Sequence, residues 1–368
     1  MTHVRRRKFH PLVDGAISIA ARGAMLPVSV AGYASAMRGA AVLSRVYARA
    51  QPKYRVRATA NLRDAYPDAS PEWIDATAAA CQEHMFQLGV EFIFTPRLIS
   101  PASAPRHLIF GDVAHALRGL AQRRPTLLIT GHIGNWELVG YSLGLLGVEM
   151  AAVYRPLDAR GLDRWVKRSR EAKGLALVSK FGAARALPKV IEAGYPVGLV
   201  ADQSGGDRGV FTPFFGRLTS TYKLIALLAM RFEANVICGV ARRLPAHDPG
   251  PRPSDRRIAT IGLGGDGPRF AVEVTDSFGP ADWAGRPDPV FYITARYRRA
   301  MEAMIRRAPE QYFWMHRIWR SRPQHERENK PFPPALREKL LSLPWMTPAD
   351  VDAVVERSVR DAATQRLG

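Results

Sequence analysis

The chain has 368 residues, 47% of them hydrophobic, which allows one large domain or two ordinary ones with a substantial buried core and excludes a disordered chain. Lys+Arg number 53 against 33 Asp+Glu, a formal net charge of +20, and that sign favours acidic partners: nucleic acid, an anionic membrane or an acidic carrier protein. The two cysteines, Cys81 and Cys238, stand far apart without CxxC or Cys/His spacing, so neither a disulfide scaffold nor a structural zinc site has support.

In chain order, Arg5, Arg6, Arg7 and Lys8 precede an apolar stretch. Gly23 to Met37 is uncharged but is closed by Arg22 and Arg38 and broken by Pro27. It is shorter than the roughly 20 residues a spanning helix needs. A basic cluster ahead of an Arg-punctuated apolar segment suits a helix lying in the membrane interface, peripheral or monotopic. Residues 1–50 therefore read as an N-terminal helical, membrane-contacting segment, 51–323 as the main domain, and 324–368 as a C-terminal extension. The DASP stretch places Ser70 as N-cap and Pro71 at the first position of a helix that runs to about Phe94.

From Pro125 short apolar runs (Thr126–Thr130, Val148–Tyr154, Leu175–Ser179, Val197–Ala201, Val236–Val240) alternate with helical segments. This rhythm predicts an α/β fold, a sheet flanked by helices. Two further strands, Arg256–Ile261 and Arg269–Val274, flank GLGGDG. Its glycines at 262, 264 and 267 spell GxGxxG, but Pro268 and a strand-like run follow. A dinucleotide fingerprint must enter a helix, so a hairpin turn is expected. No GxSxG elbow, HExxH, Walker loop, kinase set or nucleic-acid motif occurs.

The informative segment is the strand Thr126–Thr130 running through Gly131 into HIGNWE, residues 132–137. His132 falls at the carboxyl end of a strand, where ligands bind in open α/β sheets, and Gly131 and Gly134 permit close approach. Glu137, in the first turn of the following helix, is expected to fold back and orient His132. An imidazole held by a carboxylate can take a proton from a hydroxyl without any serine nucleophile. The bland alternative is that both residues are structural.

HIGNWE has the HxxxxE pattern of glycerolipid-type acyltransferases, and its setting resembles the bacterial lipid A late acyltransferases, the lauroyl/myristoyl transferase family. The agreeing blocks come in order: ANLRDAYP (60–67), LLITGHIGNWE (127–137), VYRPLD (153–158), RSREAKG (168–174), GLVADQ (198–203), GVFTPFFG (209–216) and PEQYFWMHRIWRSRP (309–323). The resemblance implies acyl transfer from a thioester, on acyl carrier protein or coenzyme A, to a glycolipid hydroxyl at the cytoplasmic face of the bacterial inner membrane. It implies no metal or redox cofactor and an anionic lipid or glycolipid as acceptor. It also points to Arg170 and Asp202. A cation at Arg170 suits a phosphate or an oxyanion, with Asp202 orienting it; a solvated helix charge and a turn residue are the plain alternatives. Phe214 and Phe215 suit either an acyl path or the core. His316, in the last block, reads as packed and hydrogen-bonded rather than catalytic. Two other readings stay open: the same chemistry on another acceptor, such as a mannosylated phosphoinositide, and a non-catalytic basic module for membrane or nucleic acid.

Overall fold

The structure, a computed structural model, describes residues 10–122, 124–171, 174–245, 248, 250 and 267–364. The basic cluster at 5–8, the expected strand at 256–261 and nearly all of GLGGDG lie outside these. Four helices open the described chain: α1 (Pro11–Val30), α2 (Tyr33–Ala50), α3 (Pro52–Ala65) and α4 (Pro71–Leu98). The Ser70 hydroxyl accepts the Trp73 amide at 3.2 Å, with Pro71 at the first helical position, so α4 starts where its capping residues dictate. The apolar N-terminal stretch is divided between two helices, because the chain is extended at Ala31 and Gly32. Among the described residues α1 alone has the length and composition to cross a membrane, and little of it is fully buried.

The α/β region begins with α5 (Ala104–His107), β1 (Leu108–Phe110) and α6 (Ala114–Ala121). It continues through β2 (Thr126–Thr130), α7 (Trp136–Leu145), β3 (Met150–Tyr154), α8 (Arg160–Glu171), β4 (Leu175–Ser179), α9 (Ala183–Glu192) and β5 (Val197–Val200). A two-stranded hairpin, β6 (Val210–Phe214) and β7 (Arg217–Thr221), stands apart from the main sheet; then come α10 (Leu224–Arg231), β8 (Asn235–Arg243), β9 (Phe270–Phe278), α11 (Pro280–Trp283) and α12 (Pro289–Arg307). The mixed seven-stranded sheet has the order β1-β9-β8-β2-β5-β3-β4. β8 and β9 are antiparallel and every other neighbouring pair is parallel. The expected strand at 269–274 is thus longer, and it pairs with β8. The fold is α/β, a sheet flanked by helices with an N-terminal helical segment.

All five side chains of β2 are buried, as a central parallel strand covered on both faces requires. The last three helices, α13 (Gln324–Arg327), α14 (Pro334–Leu341) and α15 (Pro348–Thr364), share the main core. Leu340, Leu343, Val351 and Val354 pack into it, and Asp361 of α15 pairs with Arg217 and Arg322.

Candidate active site

β2 and β5 run parallel with Thr130 opposite Val200, so the residues that follow each strand emerge side by side. Those are Gly131–His132 and Ala201–Asp202. A Cβ on Gly131 would sit 3.2 Å from the Cβ of Asp202; the bare glycine lets the two strand ends close up. His132 Nδ1 stands 2.8 Å from Oδ1 of Asp202, which is fully buried, while His132 is partly exposed. Burial alone would favour neutral forms of both groups, but each opposes that tendency in the other. His132 is raised above its ordinary value by the charge and hydrogen bond of Asp202 and by the charge of Glu137, which outweigh desolvation. Against its own desolvation, Asp202 is held well below the usual carboxylate range by His132, His316 and Arg298. Arg298, wholly buried on α12, donates from Nη1 to the Asp202 carbonyl at 2.8 Å and lies over the Phe214 ring at 4.3 Å.

Glu137 does not hold the imidazole. It receives a two-pronged ion pair from Arg170 of α8, with Nε to Oε2 at 2.9 Å and Nη2 to Oε1 shorter still. The expected partners are therefore exchanged: Asp202 orients His132 rather than Arg170, and Glu137 orients Arg170 while acting on His132 through its charge. The reason is the helix. Trp136 starts α7, so Glu137 already follows the helical path and cannot turn back to the ring five residues earlier.

The HIGN loop is shaped by a buried polar network that sequence reasoning missed. The Asn135 side chain caps α7, its Oδ1 accepting from the Leu138 amide at 3.0 Å, and its Nδ2 donates to Glu91 of α4 at 2.9 Å. Glu91 also pairs with Arg243, which reaches Gln87 and, at 3.3 Å, Nδ1 of His84. Nε2 of His84 then donates to the Gly134 carbonyl at 3.1 Å. Burial, then the Arg243 charge, lowers His84 to about 3, which keeps it neutral and able to take those two bonds. Gly134 itself has φ +56°, and a Cβ there would collide with the Ala241 carbonyl oxygen.

The block at 309–323 is the other wall. Ile133 bridges Tyr312, Phe313 donates its amide to the His132 carbonyl at 3.0 Å, and Gly134 donates to the Gln311 carbonyl at 3.0 Å. Asn61 of α3 then pins the segment, its Nδ2 donating to the carbonyls of Trp314 at 2.6 Å and His316 at 2.8 Å. This brings His316 Nε2 to 3.8 Å from Oδ2 of Asp202, with its ring perpendicular to that of His132. Burial, only partly offset by Asp202, lowers His316 to about 4. His132, Asp202 and His316 carry the donor types of a metal site within 4.8 Å of one another. The 2.8 Å contact in the trio is a hydrogen bond between His132 and Asp202. The proximity of His316 to Asp202 was visible in the sequence only as its place in a block.

Phe214 and Phe215 are core. They pack against each other with centroids 4.8 Å apart, and Phe215 also meets Trp314. Phe215, at φ +52°, and Gly216 form the turn between β6 and β7. Neither ring is in the lining of the two cavities beside α1 and α8.

A polarised imidazole thus stands at paired strand ends, and Glu137, whose charge acts on it, holds Arg170 in an ion pair. Residues 8–247 match the family described as bacterial lipid A biosynthesis acyltransferase. The chain belongs to that family. The lipid A biosynthesis palmitoleoyltransferase of Escherichia coli (strain K12) is 25% identical over 213 residues, 57% of this chain and 60% of the relative. The lipid A biosynthesis acyltransferase of Shigella flexneri matches to the same extent. The chain thus spans 60% of the length of these curated relatives. Within this lipid A acyltransferase family member, the matched residues include β2, the HIGNWE loop, Arg170 and Asp202, while His316 and α12 lie beyond them.

Proposed function

We propose that the protein is an O-acyltransferase that moves a fatty acyl chain from a thioester to a hydroxyl of a glycolipid of the lipid A type, with His132 as general base. The observation that carries this reading is the 2.8 Å contact between Nδ1 of His132 and Oδ1 of Asp202 at the mouths of two parallel strands. An ionised Asp202 accepts a hydrogen bond from the Nδ1–H of His132, and that tautomer leaves the lone pair on Nε2. Nε2 removes the acceptor's hydroxyl proton as the oxygen attacks the thioester carbonyl carbon. The tetrahedral oxyanion collapses, the C–S bond breaks, and the imidazolium returns the proton to the leaving sulfur.

Glu137 takes the Nε and Nη2 faces of Arg170, which leaves Nη1 for the oxyanion or an acceptor phosphate. A net charge of +20 suits an acidic acyl carrier protein as donor, with acyl-coenzyme A as the other thioester. Exposed apolar residues on α1 and α2, among them Leu12, Ile19, Val30, Val42 and Val46, support attachment at a membrane surface, on the cytoplasmic side where a carrier protein is found. Mass spectrometry of membrane lipids from the native host with and without the protein tests the reading. A fixed mass loss from one glycolipid, restored by the wild type and not by His132→Ala, is expected; an unchanged lipid profile overturns it.

A further inference from the structure

Two adjoining cavities lie where α1 packs on α8. The first has a volume of about 540 Å³ and is lined by Arg22, Arg160, Arg164 and Arg168 against Asp14 and Asp158. The second, of about 370 Å³, shares Arg22 and Trp165 with the first and is otherwise mainly apolar, with Met25, Leu26, Phe92 and Ile93 in its wall. The contact that makes them is specific. Asp14 accepts the Gly161 amide at 3.3 Å, and a Cβ on Gly161 would collide with the Ser18 hydroxyl, so only glycine allows α1 so close.

We infer that this groove binds an anionic phospholipid, its phosphate at the arginines and an acyl chain in the apolar part. Arg160, Arg164 and Arg168 are spaced i, i+4, i+8 and share one face of α8; with Arg22 they put four cations in the cavity wall against the two carboxylates of Asp14 and Asp158, and like charges at this spacing repel. Among the described residues no ion pair engages Arg164 or Arg168. A phosphate answers that excess of positive charge, since guanidinium groups bind its oxygens in pairs. A free anion would not need the second cavity, whereas a lipid fills both. The outer face of α1 points the same way: Ile19 is 73%, Leu26 64% and Val30 86% exposed, an apolar surface at the level where acyl chains begin. The groove shares no residue with the His132–Asp202 pair or with Arg170, and its occupancy is read without turnover. Its failure and that of the acyl-transfer reading are therefore distinguishable.

The full chain is titrated with vesicles of phosphatidylcholine alone and of phosphatidylcholine mixed with phosphatidylglycerol. Removing two arginine charges by Arg164→Gln with Arg168→Gln is expected to weaken binding to the mixed vesicles about tenfold or more, with binding to the neutral ones little changed. Arg327→Gln with Arg360→Gln removes the same charge from the C-terminal helices and controls for net charge. In parallel, phosphatidylglycerol brominated on its acyl chain should quench tryptophan emission, and Trp165→Phe should remove that part of the quenching. Circular dichroism confirms that each variant is folded. The inference stands only if both effects appear. Equal loss in the two charge variants, or quenching unchanged by Trp165→Phe, overturns it.

Discussion

His132 and Asp202 are seventy positions apart in the chain, yet Nδ1 of one meets Oδ1 of the other at 2.8 Å. The parallel register of β2 and β5 delivers both to the same edge of the sheet, and Gly131 supplies the clearance. A fully buried carboxylate stays ionised there because the imidazole, His316 and Arg298 all face it, and its charge in turn favours the protonated ring. The two residues therefore act as one unit.

From this coupling, Asp202→Asn should lower single-turnover acyl transfer by about a hundredfold to ten-thousandfold, because the amide no longer fixes the tautomer or supports the imidazolium. His132→Ala should fall in the same range, and the double variant should lose little more than the worse single one. Losses that multiply would show that the two residues act separately. Thermal melts run alongside should show that His132→Ala remains folded, since its ring is partly exposed.

The pH profile follows from the direction of the His132 shift. A general base works in its neutral form, so the rate should rise with pH through an inflection above the ordinary imidazole value near 6.5 and then level off. Asp202→Asn should move that inflection down most, because Asp202 supplies the largest raising influence; Glu137→Gln should move it down less. An inflection in Glu137→Gln equal to that of the wild type would exclude electrostatic communication between Glu137 and the ring.

Below about pH 6.5 the buried histidines should make stability fall on acidification, opposed in part by Glu91 and Glu326, which burial raises. His84 is lowered to about 3 and His316 to about 4, so the unfolded chain binds protons below about pH 6.5 that the folded chain refuses. Each such group costs about 1.4 kcal/mol of stability per pH unit across that window. His132, raised instead, adds no slope below 6.5, because both states are then protonated there. Denaturant titrations between about pH 6 and pH 4.5 should show a slope that His84→Gln reduces but does not abolish, since His316 and His325 are lowered too.

Gly134→Ala should be among the most damaging single changes in the chain. The new methyl group would meet the Ala241 carbonyl at a residue whose φ of +56° already disfavours a side chain. Loss of about 3 kcal/mol or more is expected, with any folded fraction poorly active, because the Gly134 carbonyl and amide are also tied to His84 and Gln311. A melting temperature within a few degrees of wild type would show that β8 can move aside.

Much of the α/β region was legible in the chain. The run Thr126–Thr130 is β2 residue for residue, because a strand covered on both faces must be apolar throughout. Ser70 and Pro71 mark the start of α4, since capping is chemistry between near neighbours. The C-terminal region was less legible. Residues 324–368 are polar and broken by proline, and nothing local reveals that Leu340, Leu343, Val351 and Val354 enter the main core or that Asp361 meets Arg217 and Arg322.

By itself the sequence determined that a histidine stands at the mouth of an apolar strand, that Glu137, Arg170 and Asp202 accompany it, and which family these blocks belong to. Only the tertiary structure decided who pairs with whom. Pairing depends on strand register and helix phase, which place Asp202 against His132 and turn Glu137 away along α7 towards Arg170. It depends equally on contacts between distant segments: Glu91 with Asn135, His84 with Gly134, and Asn61 with the carbonyls that hold His316 beside the pair. Local pattern records which face of an element is apolar; the geometry of hydrogen bonds between elements exists only once the sheet has assembled.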